Sequence, residues 1–313
     1  MLIFTNEDKN IPQLPSICLT LGIFDGVHLG HQKIIRRVVE KAAHLGGKSC
    51  VVTFDPHPRE VLNPDSAPDL LTTTEKKSKL IEDLGVDALC LIKFTREFAG
   101  TEAHEFVRNF LVGVLRMKAI IVGYDWRFGK GRRGDIHLLR EMSKGAGCEV
   151  EQVNGVDVDG TVISSTLIRE LVLGGDLERV ARYLGRRYSI TGAIVGGSRL
   201  GREIGFPTAN IAPHHEAVPP NGIYAVWAEV SGVRKPGTLN IGMRPTVSNE
   251  RKRTIEVHIM DFYHDIYDRE IEITFVEKLR DEKKFPSLDA LAEQIKKDVE
   301  QARSILVERG SHV

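Results

Sequence analysis

GIFDGVHLGHQ, residues 22–32, is the stretch whose reading decides the first half of the chain. It joins an apolar strand-like run, 16–24, to a segment, 30–43, in which Ile34, Ile35, Val38, Val39, Ala42 and Ala43 recur at helical spacing until Gly46 and Gly47 stop it. The pattern predicts a strand handing over to a helix. Such a junction attracts phosphate, because the first helical turn points unpaired N–H groups and a partial positive charge outward. His28 and His31, three residues apart at that turn, can face one anion together. A solvated turn with two incidental histidines is the plainer alternative.

Outward from this turn the strand and helix pattern repeats. Strands are expected at 49–55, 88–94, 119–123 and near 149–153, with helices at 75–84, 101–116 (capped by Thr101) and 136–144. Alternation of this kind predicts a parallel sheet covered by helices, with ligands beyond the carboxyl ends of the strands. The unusual residues collect there. TFDPHPREVL holds His57 between Pro56 and Pro58, as a surface residue or a ligand. GYDWRFGKGRRGD, 123–135, is either a mobile basic loop or a lid offering aromatic faces to a flat ring and charge to phosphate. In ISSTLIRELVLGGD, Ser164, Ser165 and Thr166 cap a helix carrying Arg169, which by itself is an ordinary cap.

The 313 residues suggest two domains, and 43 basic against 43 acidic side chains leave no net charge. This argues against a general nucleic-acid or membrane-surface binder; Lys130, Arg132 and Arg133 are confined to one loop. Cys18, Cys50, Cys90 and Cys148 are scattered and form no CxxC pair, as expected of thiols in a reducing compartment. The start, MLIFTNEDKN, lacks the pattern of a signal peptide, so a soluble, cytoplasmic protein is expected. A homo-oligomer is left open.

Beyond a last short helix at 176–184 the texture changes to successive strands with glycine and proline turns: 188–195, 222–230, 235–241, 254–262 and 270–276. A helical period then returns at 287–305. This predicts a small antiparallel barrel closed by a terminal helix. The glycines of ITGAIVGGSRLGREIGFPTANI, 190–211, form either a hairpin or a phosphate-wrapping loop, without the Walker pattern. Thr208 and Asn210, two apart on an extended chain, share one side and offer oxygen ligands suited to Mg2+. Glu256 alternates with Ile255, Val257 and Ile259, as an outward-facing strand residue would.

GIFDGVHLGHQ, VTFDPHP, GYDWRFG and ISSTLIR, in this order, resemble the FMN adenylyltransferase module of the bacterial bifunctional riboflavin kinase/FAD synthetase family; HLGH matches the HxGH signature of the wider nucleotidyltransferase superfamily. GFPTAN, NIGMRPT, EVHIMD and LRDEKKFPSLDAL resemble the riboflavin kinase module of the same family, so the likeness spans about residues 19–298. It implies a Rossmann-like α/β nucleotidyltransferase domain, 1–184, and a riboflavin kinase β-barrel domain, 185–313. It also implies that His28 and His31 contact the ATP phosphates with the turn residues Gly22, Phe24 and Gly26. Ser164, Ser165, Thr166 and Arg169 would help hold the triphosphate, Phe54 and Phe128 would wall the flavin ring, and Asp125 would lie on the nucleotide or flavin side. In the second domain the resemblance implies that Gly197 and Gly201 serve ATP, that Thr208 and Asn210 bind Mg2+ with ATP, that Glu256 is the general base and that Arg280 lies on the flavin side. The implied substrates are riboflavin, FMN and ATP, with FMN and FAD as products.

The chain departs from the family at Trp126, where phenylalanine is usual, at Asp268, where glycine is usual, and at Gly196, often histidine. Two other readings are open. One is a different adenylyl- or cytidylyltransferase of the superfamily with an unrelated barrel, which would ignore riboflavin. The other is a flavin-binding sensor that releases neither ADP nor pyrophosphate.

Overall fold

The computed structural model describes residues 1–196, 201, 204–245, 251–262 and 266–309. It forms two compact units, Met1–Pro68 with Thr74–Ser165, and Asp69–Thr73 with Thr166–Val313.

In the first unit, six strands form one sheet in the order β1-β4-β3-β2-β5-β6. They are β1 (Leu2–Thr5), β2 (Ile17–Leu21), β3 (Ser49–Asp55), β4 (Ala88–Lys93), β5 (Met117–Gly123) and β6 (Glu149–Val153), and all pair in parallel. All five residues of β2 are buried, as befits a central strand with both faces covered. From β2 the chain runs to β3 and β4 on one side, and β5 and β6 lie on the other. The order therefore reverses between β2 and β5, and ligands bind in the crevice that such a reversal opens at the carboxyl ends. HLGH follows β2 and GYDWRFG follows β5, so both motifs flank that crevice. β1, which the sequence reading missed, pairs Leu2 with Ala88 at the sheet edge.

The helices are α1 (Leu29–His44), α2 (Pro58–Leu62), α3 (Thr74–Glu82), α4 (Arg96–Ala99), α5 (Ala103–Glu105) and α6 (Ile136–Gly145). α5 runs on as a π-helix over Phe106–Val114, closed by Leu115 N donating to Phe110 O at 2.9 Å. The expected cap is corrected. Glu102 precedes this helix and Thr101 O instead accepts from Lys130 N. A short hairpin, β7 (Asp157–Val158) and β8 (Thr161–Val162), precedes α7 (Ser165–Gly174) and α8 (Leu177–Leu184). α8 begins on the side chain of Asp176 and ends on Gly185 at φ 70°, the left-handed conformation that stops helices.

The second unit is a closed antiparallel barrel, β10-β13-β12-β11-β14-β9. Its strands are β9 (Ser189–Val195), β10 (Ala209–Pro213), β11 (Gly222–Val230), β12 (Val233–Pro245), β13 (Arg251–Ile259) and β14 (Glu270–Arg280). Closure leaves no free edge. Tyr224, Leu239, Ile241, Val257 and Ile273 alternate inward and are buried. The terminal helix α9 (Leu288–Arg309) lays Val299, Ala302, Ile305 and Leu306 against Ala225, Trp227, Met260 and Val276. Residues 69–73 join this unit through Leu70, which bonds to His215 and Ala217. Asp268 adopts φ 59°, taking the conformation that glycine adopts most freely.

Candidate active sites

The turn leaving β2 is strained and then pinned. Phe24, Gly26 and Val27 have φ of 51°, 82° and 41°, and for the two that are not glycine this costs on the order of 1–3 kcal/mol each. Holding it are Gly22 N to Val52 O at 3.1 Å, Thr53 Oγ1 to Ile23 O at 2.9 Å and Gln32 Nε2 to Val27 O at 3.0 Å. Ser165 Oγ donates to Asp25 O at 2.9 Å, a further tie on the turn.

His28 is 5% exposed and caps α1, its Nδ1 accepting from His31 N at 3.3 Å. That role leaves Nδ1 without a proton and puts the proton of the neutral ring on Nε2. His31 stacks on it, with centroids 3.5 Å apart and planes 21° from parallel. The glycine of the HxGH pattern has a steric cause: a Cβ at Gly30 would come within 3.0 Å of the His28 ring. Burial, then the neighbouring His28, then Lys77 hold His31 well below the usual histidine range, and its Nδ1 is buried without a hydrogen-bond partner. Burial thus disfavours a charged imidazolium at His31.

Sequence reading did not single out Lys77. It enters from α3, is 6% exposed, and its Nζ donates to Phe54 O at 3.2 Å at the carboxyl end of β3. The signal was its spacing: Lys77 stands four residues before the buried Ile81, on the inward helix face.

The 123–135 segment is bonded into shape. Phe128 and Gly134 exchange backbone bonds at 3.1 and 2.8 Å, Asp135 caps α6 through His137 N and Leu138 N, and Arg127 pairs with Asp135 at 3.1 Å. Phe128 is buried beneath a half-buried Trp126, stacked at 4.5 Å. Trp126 is therefore the more open ring, and Asp125 beside it is exposed. Phe54 meets Phe94 edge to face at 5.5 Å. His57 caps α2, its Nδ1 accepting from Arg59 N. Thr166 and Arg169 belong to the second unit, where Arg169 Nε donates to Asp69 O at 2.5 Å.

On the barrel, register places Asn210, Glu256 and Asn240 side by side on β10, β13 and β12. The row continues through Ile223 to Arg280 on β14. It faces outward, since Ile255, Val257, Leu239 and Ile241 on either side of it are buried inside. Thr208 Oγ1 lies 3.5 Å from Glu256 Oε2. His258, on the same face, bonds through Nδ1 to Pro207 O at 2.9 Å and meets Phe206 edge to face, ordering the Pro207–Asn210 segment. Gly201 packs under it: Phe206 N donates to Gly201 O at 2.7 Å, and a Cβ there would lie 2.4 Å from Phe206 O. Gly197 lies outside the described residues. Asn240, missed by the sequence reading, has a buried Oδ1 without a partner. Arg280 is gripped by Asp298 of α9 through Nε at 2.9 Å and Nη2 at 2.7 Å and stands over the Phe285 ring. At strand spacing it is about 14 Å along the row from Glu256.

A nucleotide-type crevice with an HxGH turn in one unit and a barrel with an outward carboxylate in the other define a two-module transferase. Models of two families match the chain, FAD synthetase over residues 11–167 and riboflavin kinase over 184–306. It is 39% identical over 294 residues to the bifunctional riboflavin kinase/FMN adenylyltransferase of Pseudomonas fluorescens, covering 94% of each chain. It is 38% identical to that of Escherichia coli K12, covering 94% of this chain and 95% of the relative. The chain belongs to the bifunctional riboflavin kinase/FMN adenylyltransferase family. The solved structure of a macrolide-efflux protein from Streptococcus pneumoniae matches with TM-score 0.85 at 29% identity, over 97% of this chain and 99% of that one. Among the described residues here, no helix is long and apolar enough to cross a membrane.

Proposed function

We propose that the chain performs two successive flavin reactions, riboflavin plus ATP to FMN plus ADP on the barrel, and FMN plus ATP to FAD plus pyrophosphate in the parallel-sheet unit. The observation that carries this reading is the presence, in one chain, of the pinned HLGH turn and of Glu256 beside Thr208 and Asn210.

In the adenylyl transfer an oxygen of the FMN phosphate attacks the α-phosphorus of ATP while the bond to pyrophosphate breaks. No protein nucleophile is needed, so the work is alignment and stabilisation of charge building on pyrophosphate. His28, through Nε2–H, together with His31 and the amino terminus of α1, supplies donors. Gly22, Phe24 and Gly26 shape the turn, and Ser164, Ser165, Thr166 and Arg169 serve the triphosphate. Phe54, Asp125 and Phe128 serve the flavin side, with Trp126 covering Phe128.

In the kinase reaction the Glu256 carboxylate takes the proton of the riboflavin 5′-hydroxyl as its oxygen attacks the γ-phosphorus and ADP leaves. Gly197 and Gly201 serve ATP, and Arg280 faces the flavin. Thr208, Asn210 and Glu256 are hard oxygen donors carrying a single charge, which fits Mg2+ held largely by phosphate oxygens. Thr208 and Asn210 would hold the ion, which when bound neutralises phosphate charge.

We place the functional boundary at 184/185, where α8 ends on Gly185 before β9, although the compact units divide after Ser165. Four free cysteines and a neutral balance of charge support a cytoplasmic enzyme that acts on small molecules without nucleic-acid or membrane partners. Incubation of the purified chain with riboflavin, ATP and Mg2+, with flavins separated over time, tests the proposal. FMN with ADP followed by FAD with pyrophosphate is expected; flavin binding without turnover would contradict it.

A further inference from the structure

We propose that Lys77 is a phosphate-binding residue of the adenylyl-transfer site, donating its ammonium to a phosphate oxygen of ATP or FMN. This rests on the reading of the parallel-sheet unit as an FMN adenylyltransferase. A lysine is seldom as deeply buried as Lys77 unless an anion meets it. The carboxylate that acts on it most strongly is Asp25, itself 4% exposed and set within the HLGH turn; Asp55, Glu60 and Glu75 follow. These oppose the effect of burial, which lowers its pKa. Lys77 also acts electrostatically on His31, so its charge is felt at the ring assigned to the triphosphate.

Its place in the fold is that of a ligand group. Of the three hydrogen bonds an ammonium can donate, one goes to Phe54 O at the carboxyl end of β3, where open parallel sheets bind ligands. The reaction supplies the need. Two polyanions must meet, Asp25 adds a further negative charge, and burial disfavours the charged form of His31. A helix amino terminus offers about half a unit charge. Lys77 offsets Asp25 and leaves its remaining N–H donors for a phosphate oxygen where FMN oxygen replaces pyrophosphate on the α-phosphorus.

The test uses the full chain with supplied FMN and ATP. K77M is expected to lower kcat/KM for FAD formation on the order of 100-fold, while FMN formation from riboflavin stays within about twofold; K77R should recover part of the loss. A raised KM for ATP assigns the contact to ATP, and a raised KM for FMN assigns it to the flavin phosphate. The double variant K77M/D25N separates binding from a merely structural ion pair, because it removes both buried charges. It should fold and remain slow. Wild-type FAD formation in K77M, or its recovery in the double variant, would overturn the proposal. Should the wild-type chain form no FAD, the adenylyltransferase reading has failed, and ATP and FMN binding measured calorimetrically for wild type and K77M then decide on Lys77 alone: weaker binding of either supports it, equal binding of both overturns it.

Discussion

In the parallel-sheet unit the side chains proposed to act are drawn inward: His28 and Lys77 are buried, and the turn that carries the histidines is strained and cross-tied. On the barrel the corresponding residues stand on the outer face, where Glu256, Asn210 and Asn240 form a row and α9 holds only the Arg280 end. The two chemistries account for the difference. Adenylyl transfer to an ionised phosphate moves no proton and profits from fixed donors in a dry setting. Phosphorylation of a hydroxyl needs a base that substrate can reach and that stays ionised beforehand.

The contrast can be broken most sharply at the base. Glu256→Gln should lower FMN formation by roughly 10²–10⁴-fold and leave FAD formation from supplied FMN unchanged; an undiminished kinase rate would remove Glu256 from the mechanism. His31→Ala should cost FAD formation roughly 10²–10³-fold with the kinase intact, and loss of both activities in a folded variant would break the two-site account. Asp298, 3% exposed, tests whether the closed end of the row is structural. Asp298→Ala strands Arg280 and should destabilise the barrel by about 3–5 kcal/mol, read as a lower Tm for that unit. Gly30→Ala pushes on the His28 ring, and a loss of about tenfold in FAD formation, ~1.4 kcal/mol, would be seen beside a normal kinase.

The smallest effect concerns pH. His31 is held well below 6.5 in the folded chain, so the unfolded chain takes up that proton first as pH falls. Stability conferred by the neutral ring is complete above about pH 6.5 and is lost progressively below it. Tm should fall on acidification from pH 7 to 5, and His31→Gln should flatten that fall by roughly 2–4 °C. An unchanged profile would place His31 in a more open setting.

The architecture was legible where periodicity was long. The strand at 49–55 and the helix following HLGH match β3 and α1 closely, because continuous apolar runs and helical spacing leave few alternatives. β1 escaped because four residues with Leu2 and Ile3 exposed carry little pattern, and only register against β4 makes them a strand. The winding of Phe106–Val114 escaped because apolar spacing over 101–116 does not separate a π-helix from an α-helix. Candidate site residues His28, His31 and Thr208 were visible as chemistry in local motifs, whereas Glu256 read as an ordinary outward strand residue and was picked out only by the family resemblance. Asn240 was not, since its place beside Glu256 comes from pairing between strands. Of the adjacent lysines 76 and 77, only the helix face decides which turns inward, and Lys77 was passed over as one charge among several.

The most direct test of the central claim is complementation in solution between two full-length variants, His31→Ala and Glu256→Gln, supplied with riboflavin, ATP and Mg2+. Two separate active sites predict that the first stops at FMN, that the second leaves riboflavin almost unchanged, and that an equimolar mixture makes FAD. A mixture that makes no FAD, from variants that are both folded, would contradict the assignment of the two reactions to the two units.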